Sequence, residues 1–215
     1  PAAASRRFPS YLASAMTQLP ELPLTLSRQE IRKMIRQRRR ALTPEQQQEM
    51  GQQAATRMMT YPPVVMAHTV AVFLSFDGEL DTQPLIEQLW RAGKRVYLPV
   101  LHPFSAGNLL FLNYHPQSEL VLNRLKIHEP KLDVRDVLPL SRLDVLITPL
   151  VAFDEVGQRL GMGGGFYDRT LQNWQHYKTQ PVGYAHDCQL VEKLPVEEWD
   201  IPLPAVVTPS KVWEW

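Results

Sequence analysis

The chain has 215 residues, 44% of them hydrophobic and 21% charged, the proportions of a soluble globular protein with one main domain. No apolar run approaches the roughly 20 residues a spanning helix requires, and Cys188 is the only cysteine, which excludes an intrachain disulfide framework. The first residues lack the apolar segment of a secretory signal, so a cytoplasmic protein with no membrane contact is expected. The net charge of +1 hides an asymmetry: residues 1–42 hold nine Lys and Arg against two acids, the remainder fourteen against twenty. A basic front of this kind attracts a polyanion, whether nucleic acid, an anionic membrane or the phosphates of a nucleotide.

In chain order, residues 1–24 are rich in Ala, Ser and Pro without periodicity and read as a flexible extension ahead of a domain over 25–215. Ser27-Arg28-Gln29-Glu30 is a capping box that predicts a helix start. Ile31, Ile35 and Leu42 form the apolar stripe of that helix, and Arg28, Arg32 and Arg36 recur every four residues along a neighbouring face. Thr43-Pro44-Glu45-Gln46 repeats the signal and predicts a second helix to about Thr60. Strands are then expected at 70–76, 95–100, 109–114, 145–150, 182–184 and 206–208. The first two are joined by "DGELDT" and the helical "QPLIEQLWRAGK", a βαβ crossover that implies parallel strands. The expected fold is a three-layer α/β/α domain with a mostly parallel central sheet, whose ligands sit beyond the carboxyl ends of its strands.

The stretch "GMGGGFYDR" at 161–169 fits neither the P-loop nor the dinucleotide G-x-G-x-x-G spacing. Its glycines would still let backbone amides approach an anion, and "FYDRTLQNW" predicts a helix beginning beside them. A surface turn is the plainer alternative. Asp168 offers an oxygen to Mg²⁺, and Tyr167 a flat face at the edge of the loop. The run "RQRRR" reads either as a solvated or nucleic-acid-binding face or as forked donors for phosphate. In "DGELDT", Asp81 or Thr82 is expected to cap the following helix, which leaves Glu79 free to bond a ligand. The histidines lack zinc spacing, and no Ser-His-Asp or Cys-His signature points to a covalent nucleophile.

Taken together, "SRQEIRKMIRQRRRAL", "FDGELDTQPLIEQLWRAGKRVYLPV", "KIHEP", "ITPLVAFDEVGQRLGMGGGFYDRTL" and "PVGYAHDCQLVEKLPVEEWDIPLPAVVTP" resemble the 5-formyltetrahydrofolate cyclo-ligase (5,10-methenyltetrahydrofolate synthetase) family over about residues 28–210. The resemblance implies ATP contacts at Arg28, Arg32, Arg159, Leu160, Gly161, Met162, Gly163, Gly164, Gly165, Phe166 and Tyr167. It implies folate contacts at Leu74, Glu79, Met162, Gly163, Gly164, Gly165 and Phe166, with Mg²⁺ held by Asp168 and Asp200. Arg28 stands where a Lys is common, and Phe166 where a Tyr is common. The implied reaction is ATP- and Mg²⁺-dependent cyclisation of 5-formyltetrahydrofolate through phosphorylation of its formyl oxygen, by a monomer that needs no nucleic acid. At this point two alternatives stay open: a nucleic-acid-binding module using the basic helix, and a nucleotide-binding relative with another substrate.

Overall fold

The first helix, α1 (Arg28–Arg40), is set by its cap: the Ser27 hydroxyl accepts from the Glu30 amide at 3.1 Å, and the Glu30 carboxylate accepts from the Ser27 amide at 3.2 Å. The computed structural model describes residues 26–215, so the expected extension over 1–24 lies outside the described residues. Thr43 and Gln46 repeat the box for α2 (Pro44–Thr60), with Pro44 at a position where its missing N–H costs nothing. A short α3 (Pro62–Met66) leads into β1 (Thr69–Ala71). Helix α4 (Gln83–Arg91) follows, and Gly93 at φ +76° ends it in the left-handed conformation open to glycine.

Helix α4 crosses over to β2 (Arg95–Leu101), which runs parallel to β1. The chain continues through β3 (Leu109–Tyr114), β4 (Leu120–Leu122), β5 (His128–Pro130), β6 (Val137–Leu138) and β7 (Val145–Thr148). After these come β8 (Ala152–Asp154), β9 (Arg159–Leu160), α5 (Phe166–Leu171), β10 (Gln180–Tyr184), β11 (Leu190–Val191), β12 (Ala205–Val207) and β13 (Val212–Glu214). The eight-stranded sheet has the order β13-β12-β10-β7-β1-β2-β3-β6. From β12 to β2 every pairing is parallel; β13, β3 and β6 add antiparallel edges.

Strand alternation sorts the core into two faces. Val70, Val72, Val96, Val145, Ile147, Val182 and Val207 point to the layer of α2, α3 and α4, where Met58, Val64, Leu85, Ile86 and Leu89 are fully buried. Ala71, Tyr97, Leu146 and Val206 point the other way, to Leu150, Phe153, Leu171 and Leu190. That second outer layer combines α5 with a three-stranded sheet, β11-β8-β9, against which α1 packs Ile31 and Ile35. No helix of the described residues is long and apolar enough to cross a membrane.

Two expected strands are shorter than the sequence suggests. The ladder of β1 stops at Ala71, because the Thr82 hydroxyl donates to the Phe73 carbonyl at 2.7 Å and accepts from the Ser75 amide at 3.3 Å, so side chain replaces neighbouring strand. Strand β7 ends at Thr148, where Pro149 removes the next donor.

Gly183 of β10 sits where an added Cβ would lie 2.8 Å from both Leu203 Cδ1 and Val206 Cγ2. Gly183→Ala is therefore expected to lower stability by about 1–3 kcal/mol through overpacking, read as a drop in the urea midpoint at unchanged m-value.

Candidate active site

A cavity of about 470 Å³ opens beyond the carboxyl ends of β1, β2 and β7. Phe73, Leu74, Phe76 and Glu79 come from the segment after β1, Leu98, Pro99 and Leu101 from β2, and Pro149 and Leu150 from the turn after β7. Facing them are Arg28 and Arg32 of α1 and the chain from Gly161 to Asp168, with Arg159 behind. The two motifs that each follow a strand, "DGELDT" and the glycine loop, thus line one space.

Helix α1 meets this space along its arginine face. Arg32 Nε donates to the Gly161 carbonyl at 2.7 Å, which fixes the start of the glycine loop against the helix. Arg28 forks onto Asp200, Nη1 to Oδ2 at 2.6 Å and Nη2 to Oδ1 at 3.1 Å, and Nη1 also reaches the Pro195 carbonyl. Arg36, one turn further, lies beside Asp77 instead and does not line the cavity. In the loop itself Gly163 is at φ +109°, and its absent Cβ would face the Arg32 guanidinium at 3.7 Å with no clash. The loop ends at Gly165, the left-handed N-cap of α5, and is pinned by Arg169, which donates to the Gly164 and Gly107 carbonyls at 2.6 Å each.

Beneath the loop lies a second charged layer. Arg159 is buried and pairs with Asp168, Nη2 to Oδ1 at 3.1 Å; the same oxygen accepts from the Ile201 amide at 3.2 Å. Burial pulls the Arg159 pKa down, and the Asp168 charge opposes that. Asp168 Oδ2 has no hydrogen bond among the described residues, whereas both oxygens of Asp200 are taken by Arg28 and the Glu197 amide. Among the described residues no group of three or more His, Cys, Asp or Glu side chains forms a metal cluster.

Glu79 stands on the opposite wall. It closes a tight turn, its amide donating to the Phe76 carbonyl and its Oε1 accepting from the Phe76 amide, both at 3.1 Å. Burial pushes its carboxyl up to about 7, against the lowering effects of the Phe76 amide and Arg39. His186, buried nearby with Nε2 at 3.2 Å from the Gly78 carbonyl, is pulled down by burial to about 4.

The structure places the remaining expected residues more narrowly. Leu160 faces away from the cavity and packs with Ile31 and Ile35, so only its backbone belongs to the loop. Asp200 lies outside the lining, behind Arg28. Glu79 is not free of local duty, since one oxygen holds the turn. Of the two expected caps of α4 it is Asp81 that serves, accepting from the Gln83 amide, while the Thr82 hydroxyl turns back to the Phe73 carbonyl. Sequence patterns do not reveal Trp199, which is 63% exposed at the rim, or the hairpin turn from Asn123 to Glu129, whose Asn123, Leu125, Ile127 and His128 complete the wall. The one available signal is adjacency, Trp199 to Asp200 and His128 within "KIHEP".

Residues 25–209 match the model of the 5-formyltetrahydrofolate cyclo-ligase family. The chain is 99% identical over 182 residues to a 5-formyltetrahydrofolate cyclo-ligase of Escherichia coli (strain K12), covering 85% of this chain and 100% of that protein. It is 53% identical over 179 residues to the Haemophilus influenzae protein of the same name, covering 83% and 96%. The solved structure of Aquifex aeolicus 5,10-methenyltetrahydrofolate synthetase superposes with a TM-score of 0.75 at 28% identity, covering 88% of this chain and 93% of that one.

The buried carboxyl of Glu79 gives a stability test. Its folded value of about 7 lies above the ordinary 4.5, so the stability it contributes is fully present below pH 4.5 and is lost as the pH rises through 7. His186 acts with the opposite sign: its contribution is present above 6.5 and is lost as the pH falls through about 4. Subtracting the urea stability of Glu79→Gln from that of the wild type at each pH isolates the first group. The difference is expected to fall by a few kcal/mol between pH 4.5 and about 8, and a flat difference would show an ordinary, solvated carboxylate.

Proposed function

The chain belongs to the 5-formyltetrahydrofolate cyclo-ligase family, and from that premise we propose that the cavity closes 5-formyltetrahydrofolate to 5,10-methenyltetrahydrofolate with conversion of ATP to ADP and phosphate. The observation that carries the reading is the convergence on one cavity of α1 arginines, an open glycine loop and a buried carboxyl. Closing the N5-formyl amide onto N10 requires its oxygen to leave, and hydroxide is a poor leaving group. Attack of that oxygen on the γ-phosphorus forms a new P–O bond and expels ADP. N10 then adds to the activated carbon, the N10 proton departs, and the C–O bond breaks with release of phosphate. This chemistry calls for positioning and charge neutralisation more than for a nucleophilic side chain.

The residues divide the work accordingly. Arg28, Arg32 and the amides from Gly161 to Gly165 take the phosphates, and their backbone approach is open at Gly163. At Gly164 an added Cβ would instead meet the Phe166 ring at 2.9 Å, so Gly163 is the position whose freedom matters toward the ligand. Leu74, Phe76, Phe166 and Met162 offer apolar surface to the pterin and benzoyl rings, with the second oxygen of Glu79 as their polar contact. Arg159 and Asp168 hold the floor of the loop.

Mg²⁺ fits one carboxylate here. Asp168 Oδ2 is available, and Mg²⁺ binds readily through one or two carboxylates together with substrate phosphates and water. Asp200 joins only when Arg28 leaves it for phosphate. When bound, the ion would neutralise charge on the phosphate oxygens. A cytoplasmic setting suits the single Cys188, whose thiol burial pushes up to about 11, away from reactivity. The inward commitment of Arg28 and Arg32 disfavours a nucleic-acid-binding face.

Mixing the protein with 5-formyltetrahydrofolate and Mg-ATP is expected to raise near-ultraviolet absorbance as the conjugated methenyl product forms; retention on nucleic acid without that signal would favour the module reading. Arg32→Ala should raise the KM for ATP more than the KM for folate. Asp168→Asn should cut turnover by about 10²- to 10³-fold with an upward shift in the Mg²⁺ requirement. Urea unfolding must accompany that variant, because Arg159 loses its buried partner.

A further inference from the structure

The first residue of "DGELDT" has no part in the cavity described above. Asp77 precedes Gly78 in the turn that carries Glu79, and both adopt left-handed φ, +52° and +76°. For a residue with a side chain that conformation is uncommon and costs energy, so its surroundings must hold it. They do so from α1. Arg40 donates to Asp77 Oδ1 from Nε at 2.8 Å and from Nη2 at 2.5 Å, Arg39 Nη2 lies 3.8 Å from Oδ2, and Arg36 Nε lies 4.0 Å from it. The next residue is gripped as well: the Gly78 carbonyl accepts from Gln47 Nε2 at 3.1 Å and faces His186 Nε2, while an added Cβ there would lie 3.2 Å from Arg39 Cβ.

We infer that Asp77 is a positioning residue for folate: its contacts with the last turn of α1 hold the left-handed turn that aims Glu79 into the cavity, so one helix places both substrates. This inference rests on the reading of the cavity proposed above. The arginine run then divides by position. Arg28 and Arg32 face the glycine loop, while Arg36, Arg39 and Arg40 surround the Asp77 carboxylate. Asp77 touches no cavity space itself and acts only through the turn. Arg39 has a second part in this, because it is buried, keeps Nε without a partner, and its charge bears on Glu79 as well as on Asp77. The groups facing Glu79 are thus Arg39 from α1, Asp77 on its own turn, Tyr167 from α5 and His186 after β10.

Asp77→Asn is the probe, because Asn tolerates the left-handed conformation and removes only the charge. Expected is a rise of about tenfold in the KM for 5-formyltetrahydrofolate, with the KM for ATP within about twofold of wild type. In parallel, carbon-13 NMR of labelled glutamate should show Glu79 titrating at lower pH, since a like charge is lost and Arg39 is released toward it. Equal rises in both KM values, or no change in either with Glu79 titrating as before, would overturn the inference. Arg40→Ala guards against a variant that does not fold, because its side chain is 63% exposed and Asp77 stays in place. It should raise the same KM by about two- to fivefold and move the Glu79 titration, and an unmoved Glu79 in it would equally overturn the inference. Absence of product with wild-type protein would instead remove the reading of the cavity, and the NMR titration would still decide the role of Asp77.

Discussion

A guanidinium withdrawn from water must find oxygen, and that requirement organises this molecule more than any other. Arg32, Arg39 and Arg159 are all nearly fully buried. Each faces a group that would otherwise have no fixed place: Arg32 donates to the Gly161 carbonyl, Arg159 donates to the Asp168 carboxylate, and Arg39 lies beside the Asp77 carboxylate, while Nε of both Arg39 and Arg159 keeps no partner. Helix α1 can present so many cations inward only because Ile31 and Ile35 anchor it on the small sheet. The glycine loop and the turn before Glu79 are held by these pairings, and the segment ending in Asp200 by the fork of Arg28.

That sheet has a different part. Its parallel strands end together, and the segments leaving them collect at one rim, where the proposed nucleotide and folate walls meet. The two walls have contrasting electrostatics. One is cationic and partly open, suited to phosphate; the other holds a carboxyl that burial has moved toward neutrality, beside apolar rings. A folate placed between them would meet a polar contact at one end and a charged cosubstrate at the other.

What could be seen in the sequence was whatever is decided locally. Ser27 with Glu30 and Thr43 with Gln46 specify their helix starts within four residues, and both caps form as the spacing requires. The βαβ crossover is local in the same sense. The small sheet is not: β9 and β11 have two residues each, too few for alternation, and β11 pairs with β8 across almost forty residues. The residues around the cavity follow the same division. Glu79, Arg32 and the glycines were visible as motifs, yet the partner of Arg28 lies 172 positions away and that of Arg40 lies 37 away. The inward packing of the Leu160 side chain is not legible because a contiguous motif hides the alternation of a two-residue strand, in which one side chain meets the cavity floor and the next the core.

The fork of Arg28 on Asp200 has a consequence for selectivity. On the proposed reading, the protein carries its own competitor for the cation that receives phosphate. That competitor is tethered, already oriented and therefore present at high effective concentration. A singly charged anion offers Arg28 no more than Asp200 does, and so gains little by displacing it. A polyphosphate that engages Arg32 and the loop amides at once, and brings a metal ion to the carboxylate left behind, replaces every contact it breaks. When the chain of phosphates is shortened that balance tilts back, and the same carboxylate that resisted entry assists departure.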